Sequence, residues 1–322
     1  MQVCKPELTY QDVYRDFEGL YISHFYTDRK LRSAFSYTPT DEDIFIASFP
    51  KCGTTWMQHI VCNIFCDGSP PATVSEIMKM TPFLEAVGAE TVRAMSRPGA
   101  IKTHLPFNKL SYSAKAKYIY ITRNPYDCCV SYYYHTKSYP MYCFTNGTFD
   151  QFFDMFIEGK AGFGDYFDHL MSWYAHRNDH NVFFLTYEQL KKDTAGMVLK
   201  IADFLGEEQY GCKLKRHPEI LGKILDGVNV SCMRKSNPEF KIIAKEIVCK
   251  SAESTTEYVK SARDVVNEMG NVAAQGNRVR KGVVGDWRNH FSRQQVDRMK
   301  EKIALKTAGT EVLKLWAEWD LP

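Results

Sequence analysis

Residues 43–65 read DIFIASFPKCGTTWMQHIVCNIF. The run Asp43–Phe49, with Ile44, Phe45 and Ile46 contiguous, has the unbroken apolar character of a strand buried on both faces. Pro50 ends it. From Trp56 the period changes: Met57, Ile60, Val61, Ile64 and Phe65 recur at i, i+3, i+4, i+7 and i+8, one face of an amphipathic helix. A strand, a tight turn and a helix therefore follow in direct succession.

The same grammar repeats outward from this unit. Ala100–His104 (AIKTH) is a short strand, and Lys117–Thr122 (KYIYIT) a stronger one that leads into a helix containing Val130–Tyr134. Val182–Leu185 (VFFL) is another strand and precedes a helical region over Glu188–Lys200. Near the C-terminus, Ser292 and Gln295 have capping-box spacing, with Val296, Met299 and Ile303 on one helical face. Strands alternating with helices predict an α/β fold whose central parallel sheet is covered by helices on both faces. No repeat or linker divides the chain, so residues 1–322 read as a single domain. The polar, helix-prone segment 239–275 reads as a helical insertion, or lid, within it.

Composition narrows the function. The formal net charge of +3 excludes a surface built to coat nucleic acid, but suits a small anion where positive charge converges locally. No stretch approaches the ~18 apolar residues of a membrane span. The N-terminal residues show no secretory signal, so the cytoplasm is the expected compartment and the ten cysteines are expected to be free thiols. Their spacing contains no CxxC pair, and no metal site is expected.

The turn Pro50-Lys51-Cys52-Gly53-Thr54-Thr55 has anion-binding chemistry. Gly53 permits close backbone approach, and the amides of Gly53, Thr54 and Thr55 would open a helix N-terminus, where free N–H groups and the dipole favour phosphate. The lysine precedes the glycine, whereas a Walker loop places it after the second glycine. A P-loop small-molecule kinase, which would also need Mg²⁺ and a carboxylate to hold it, is thereby disfavoured. Arg123, at the end of the KYIYIT strand, with Ser131 eight residues on, and the basic loop Arg280-Lys281-Gly282 supply charge for a second phosphate. They would converge at the carboxyl ends of the strands, where open α/β sheets bind ligands.

FPKCGTTW, IKTHLP, YIYITRNPYDCCVSYYYH, VFFLTYEQLKKD and RKGVVGDW together resemble the ordered motifs of the cytosolic sulfotransferase family, from about residue 40 to residue 295. The resemblance implies a P-loop-like three-layer α/β/α fold with a central parallel sheet, and an enzyme that transfers the sulfuryl group of PAPS (3′-phosphoadenosine 5′-phosphosulfate) to the hydroxyl of a small acceptor, leaving PAP. It implies that Lys51, Cys52, Gly53, Thr54 and Thr55 hold the 5′-phosphosulfate, with Trp56 and Tyr187 near the adenine. Arg123, Ser131, Arg280, Lys281 and Gly282 would hold the 3′-phosphate. His104 is implied as the general base and Lys51 as the group that stabilises the leaving oxygen. Lys102, on the same strand face as His104, adds a positive contact. These lysines do the work of charge neutralisation, so no metal is called for. Retention of both Lys51 and His104 argues against a silent protein that only binds PAPS or an aromatic ligand.

Three features depart from the family pattern. Ser231-Cys232-Met233 stands where relatives usually carry a Thr-Ser-Phe stretch against the adenine, and Cys52 stands where serine is frequent. The family's short dimer motif is not recognisable in 288–297, which favours a monomer. Phe83, Phe107, Tyr134, Tyr139, Phe144 and Phe163 are expected to wall the acceptor pocket, pointing to a phenol, catechol or other aromatic alcohol. Glu85, Asp165 and Asp168 are the carboxylates that could face an amine-bearing acceptor.

Overall fold

The computed structural model describes residues 9–240, 242–243 and 279–322. Most of the segment 239–275, expected to form a helical insertion, lies outside the described residues.

The chain opens with an antiparallel hairpin, β1 (Tyr14–Phe17) and β2 (Leu20–Ser23). Its two-residue turn, Glu18-Gly19, has φ of 53° and 79°. Positive φ at both central residues is the turn that matches the twist of paired strands. A four-stranded parallel sheet follows, in the order β4-β3-β5-β6. Its members are β3 (Ile44–Ala47), β4 (Ile101–Thr103), β5 (Lys117–Thr122) and β6 (Val182–Thr186). These are the four strands expected from the apolar runs.

Side chains alternate across the sheet, and each face has its own core. Phe45, Ala47, Tyr118 and Tyr120 point to one side. There they pack with α2 (Pro125–Ser138), α3 (Tyr166–Tyr174) and α6 (Arg293–Thr307). Ile46, Ile119 and Ile121 point to the other. They meet α1 (Thr54–Phe65), α4 (Tyr187–Lys192) and α5 (Thr194–Gly206). Three layers result because β-strand side chains have period two and both faces are apolar. Met57, Ile60, Val61 and Ile64 are buried in the second core, as their spacing predicts.

The helix expected over 188–200 is instead two, α4 and α5. The break falls at Asp193, whose carboxylate accepts from Gly196 N at 2.8 Å and caps the second helix. The Ser292 capping box at the start of α6 is formed as read.

One buried carboxylate ties the C-terminal loop to the sheet. Asp127, in the first turn of α2, accepts from Gly285 N (2.7 Å) and Trp287 N (3.0 Å) and from Asn124 Nδ2 (3.0 Å). Asp127→Ala leaves those loop amides buried without acceptors. It should lower unfolding free energy by about 3 kcal/mol. Equilibrium urea denaturation measures this, and a loss under ~0.5 kcal/mol would mean that the loop is held by other contacts.

Candidate functional site

The parallel register builds the site. Ala47 pairs with Thr103, so the next residues of the two strands, Ser48 and His104, emerge side by side at the carboxyl edge. The Nδ1–H of His104 donates to the Ser48 carbonyl at 2.7 Å. That bond assigns a ring proton to Nδ1, so in the neutral imidazole the basic atom would be Nε2. Ser48 Oγ lies 2.6 Å from Thr54 Oγ1, joining the histidine to the first turn of α1.

The phosphate loop turns on two positive φ values, Lys51 at 71° and Gly53 at 113°. A Cβ at residue 53 would stand 3.0 Å from both Ile121 Cδ1 and Tyr187 Cδ2, so a side chain there would crowd both, on top of the strain that the positive φ imposes on any residue but glycine. Gly53 is also the N-cap of α1 and offers no side chain to cap it. The first-turn amides of that helix are thus left for an anion. Lys51 and Thr55 are half-buried, while Cys52 and Thr54 are buried. The Cys52 and Cys128 sulfurs are 3.7 Å apart, both as free thiols, and burial pushes the Cys52 thiol well up.

Beside this loop, Trp56 and Tyr187 meet edge to face at 5.4 Å, and the indole Nε1 of Trp56 is buried without a hydrogen-bond partner. Met233 belongs to the same core. It lies on the short helix Val230–Lys235, where Cys232 is half-buried and Ser231 exposed.

The guanidinium of Arg123 covers the Tyr187 ring at 4.5 Å and donates to Val283 O at 2.9 Å. It thereby touches the loop that carries Arg280, Lys281 and Gly282. Arg280 and Lys281 both donate to Asp286, at 2.5 and 2.6 Å. Burial opposes ionisation of Asp286, but the hydrogen bonds from Lys281, Arg280 and Asn289 outweigh it and hold the carboxyl well below its ordinary range. Arg234, from the helix Val230–Lys235, donates to the carbonyl of Arg280. Ser131 is half-buried on α2.

Around His104 the rings are Phe83 at 5.1 Å and Phe163 at 5.2 Å, with Tyr26 edge-on to both of them. Lys102 is buried, its Nζ 4.1 Å from the centre of the Phe83 ring. Two of the six expected wall residues, Phe83 and Phe163, are thus brought to the histidine. The other four are not. Tyr134 lies under Arg280, at 4.3 Å from its guanidinium carbon. Phe107 stacks on His176 and meets Trp173 and Tyr112, because the chain turns away after Pro106. Phe144 packs against Tyr10, Tyr133 and Phe152, and Tyr139 against His135 and Tyr142.

The three carboxylates separate in the same way. Asp165 caps α3 and pairs with Lys302, and Asp168 pairs with Lys306 on the surface. Glu85 is fully buried beside His104. Sequence reading left it unplaced and missed Ser48, Tyr26 and Arg234. His169 Nε2 donates to the His104 carbonyl at 3.1 Å. Among the described residues no group of three or more His, Cys, Asp or Glu side chains is placed to hold a metal.

The fold and the comparisons together define the class, a group-transfer enzyme of α/β architecture. A sulfotransferase domain model matches residues 41–311. The chain belongs to the sulfotransferase family and is a PAPS-dependent transferase. It is similar to mouse sulfotransferase 2B1, 35% identical over 257 residues, which covers 78% of this chain and 67% of the relative. Human sulfotransferase 1C2 is 31% identical over 289 residues, 86% of this chain and 87% of that one. The crystal structure of mouse SULT7A1 complexed with PAP superposes with a TM-score of 0.68 at 26% identity, over 95% of this chain and 98% of that one. A structure of retinol dehydratase with retinol and PAP shares the fold, with a TM-score of 0.64 at 21% identity over 94% of this chain and 92% of that one. No helix among the described residues is long and apolar enough to cross a membrane.

Burial raises the Glu85 carboxyl to about 7, and the hydrogen bonds from His104 and Thr103 only partly offset this. A raised carboxyl stabilises the fold fully below its ordinary value of 4.5, and that contribution is lost as pH rises through 7. Glu85→Gln stays neutral throughout. Its stability relative to wild type should therefore climb by about 3 kcal/mol between pH 4 and pH 9. Unfolding curves across that range test this, and a flat difference would show that the buried carboxyl is not held protonated.

Proposed function

We propose that this protein sulfates the hydroxyl of a small aromatic acceptor, a phenol, catechol or related alcohol, with His104 as general base. The observation that carries the reading is the His104 Nδ1–Ser48 bond. It holds the imidazole beside the rings of Phe83 and Phe163, with Tyr26 packed against both.

PAPS supplies the activated sulfuryl group. The residues proposed for its 5′ side are Lys51, Cys52, Gly53, Thr54 and Thr55, those for the adenine Trp56, Tyr187, Ser231, Cys232 and Met233, and those for the 3′-phosphate Arg123, Ser131, Arg280, Lys281 and Gly282. Two features of this chain fit that set: the uncapped start of α1 and the unpartnered Trp56 Nε1. His104 Nε2 takes the acceptor's proton as the acceptor oxygen bonds to sulfur, and the sulfur–oxygen bond to phosphate breaks. Lys51 neutralises the charge that develops on the departing oxygen, and Lys102 adds positive potential from the buried edge of β4. The proton ends on the imidazole, whose Nδ1–H remains bonded to Ser48.

We further take residues 1–322 as one domain, acting as a monomer in the cytoplasm without metal and without binding nucleic acid.

The test is a metal-free assay with sulfur-labelled PAPS and a panel of phenols, catecholamines, steroid alcohols and sugars. Labelled phenol or catechol is expected. Label on sugars alone would sink the acceptor assignment. His104→Ala should lower turnover roughly 10²–10⁴-fold with PAP affinity nearly unchanged. Turnover close to wild type in that variant would remove His104 as the base.

A further inference from the structure

The stretch before β4 runs as an unannounced neighbour of that strand. Lys102 N donates to Pro82 O at 2.9 Å, and Phe83 bridges Lys102 in parallel. Two residues further along each chain, Glu85 and His104 come together. Glu85 Oε1 accepts the backbone N–H of His104 at 2.6 Å and the hydroxyl of Thr103 at 3.0 Å. Thr103 Oγ1 in turn accepts from Leu105 N at 3.1 Å, so one carboxyl organises three consecutive residues.

His104 is held at three points by three separate elements. Glu85 takes its N–H, His169 donates to its carbonyl, and the Ser48 carbonyl takes its ring proton. Both flanking groups are extreme choices. Glu85 has no exposed surface, and its second oxygen, Oε2, is buried without a hydrogen-bond partner. His169 is likewise buried, and burial lowers its pKa to about 3, so the ring stays neutral, with Tyr120 Oη donating to its Nδ1 at 3.1 Å. A half-satisfied buried carboxyl is costly, and one backbone amide does not require it. Such expense concentrates where geometry must be held.

We propose that Glu85 is a positioning residue for the transfer reaction: its Oε1 fixes the Thr103–His104 peptide, and with it the line along which His104 Nε2 meets the acceptor hydroxyl. This rests on the reading of His104 as base. Glu85 acts through His104 and not on the acceptor, since its bonding oxygen is already committed to the backbone.

The experiment is steady-state kinetics of the full chain with PAPS and a phenol acceptor, for Glu85→Ala, Glu85→Gln, Glu85→Asp, His104→Ala and the double variant Glu85→Ala/His104→Ala. Misplacing a reacting group by about 1 Å lowers rate on the order of 10²-fold. Glu85→Ala should therefore lose ~10–10² in kcat, while KM for PAPS changes less than about twofold. Glu85→Gln keeps an oxygen acceptor at the same reach and should regain most of that loss. Glu85→Asp, one methylene shorter, should not. In the His104→Ala background, Glu85→Ala should add no further loss. If His104→Ala is impaired and the two losses multiply in full, Glu85 acts independently and the proposal falls. An active Glu85→Asp beside an inactive Glu85→Gln also overturns it, by showing that charge matters and not reach. Should Glu85→Ala fail to fold, the order of the Gln and Asp variants decides alone. Wild-type turnover in His104→Ala removes the base assignment itself, which is a separate failure.

Discussion

The bond from His104 Nδ1 to the Ser48 carbonyl joins the two halves of the site, and it exists because β3 and β4 are parallel in one particular register. Ser48 ends one strand immediately before the phosphate loop, and His104 ends the other. Any slip of one residue would reverse the faces of β4 and turn Lys102 and His104 to the opposite side of the sheet. The register is in turn held by burial, since Phe45, Ile46, Ile101 and Thr103 all lie in the interior with no exposed surface. Stability of the central sheet and placement of the histidine against the phosphate loop are therefore one constraint.

Two strained residues mark where the chain is forced to serve this geometry. Lys51 and Phe163 both adopt left-handed φ, 71° and 72°, which side chains of their size rarely do. At Phe163 the restraint is visible: its N–H donates to Tyr21 O at 2.7 Å, and glycines flank it on either side. The N-terminal hairpin thus presses the Phe163 ring toward His104 and contributes to the recess, although it lies far from the sheet in sequence. Its second contribution is Tyr26, which follows β2 and closes over Phe83 and Phe163.

Most of the scaffold was legible because it follows from periodicity. The four parallel strands, the buried stripe of α1 and the cap of α6 are local patterns, and local patterns survive folding. The two clusters proposed for phosphate stand out in the sequence because glycine, lysine, arginine and threonine at a strand–helix turn have few other uses together. The acceptor side was less so. Phe107 follows His104 by three residues yet stacks on His176, whereas Tyr26, much further away in the chain, closes the recess. Aromatic residues serve core and pocket equally well, and only long-range packing distinguishes the two. Glu85 was hidden for a related reason. Its importance comes from the bridge between Phe83 and Lys102, a pairing too short to leave an alternating pattern.

The basic cluster proposed for the 3′-phosphate is internally braced. Arg280 and Lys281 are already paired with Asp286, and Arg123 lies 3.8 Å from Asp127. These carboxylates do not exhaust the donors. A guanidinium has five N–H groups and an ammonium three, while the acidic partners occupy one or two of each. Asp286 therefore aims the cations, and Arg234 braces the backbone that carries them by bonding to the Arg280 carbonyl. Asp127 holds the same loop through Gly285 and Trp287. On the proposed role, an incoming phosphate would meet donors already oriented by these partners, which lowers the entropic cost of binding. Oriented charge of this kind also discriminates. On the proposed role, a phosphate offers three oxygens for Arg123, Arg280 and Lys281 to share, whereas a carboxylate offers two.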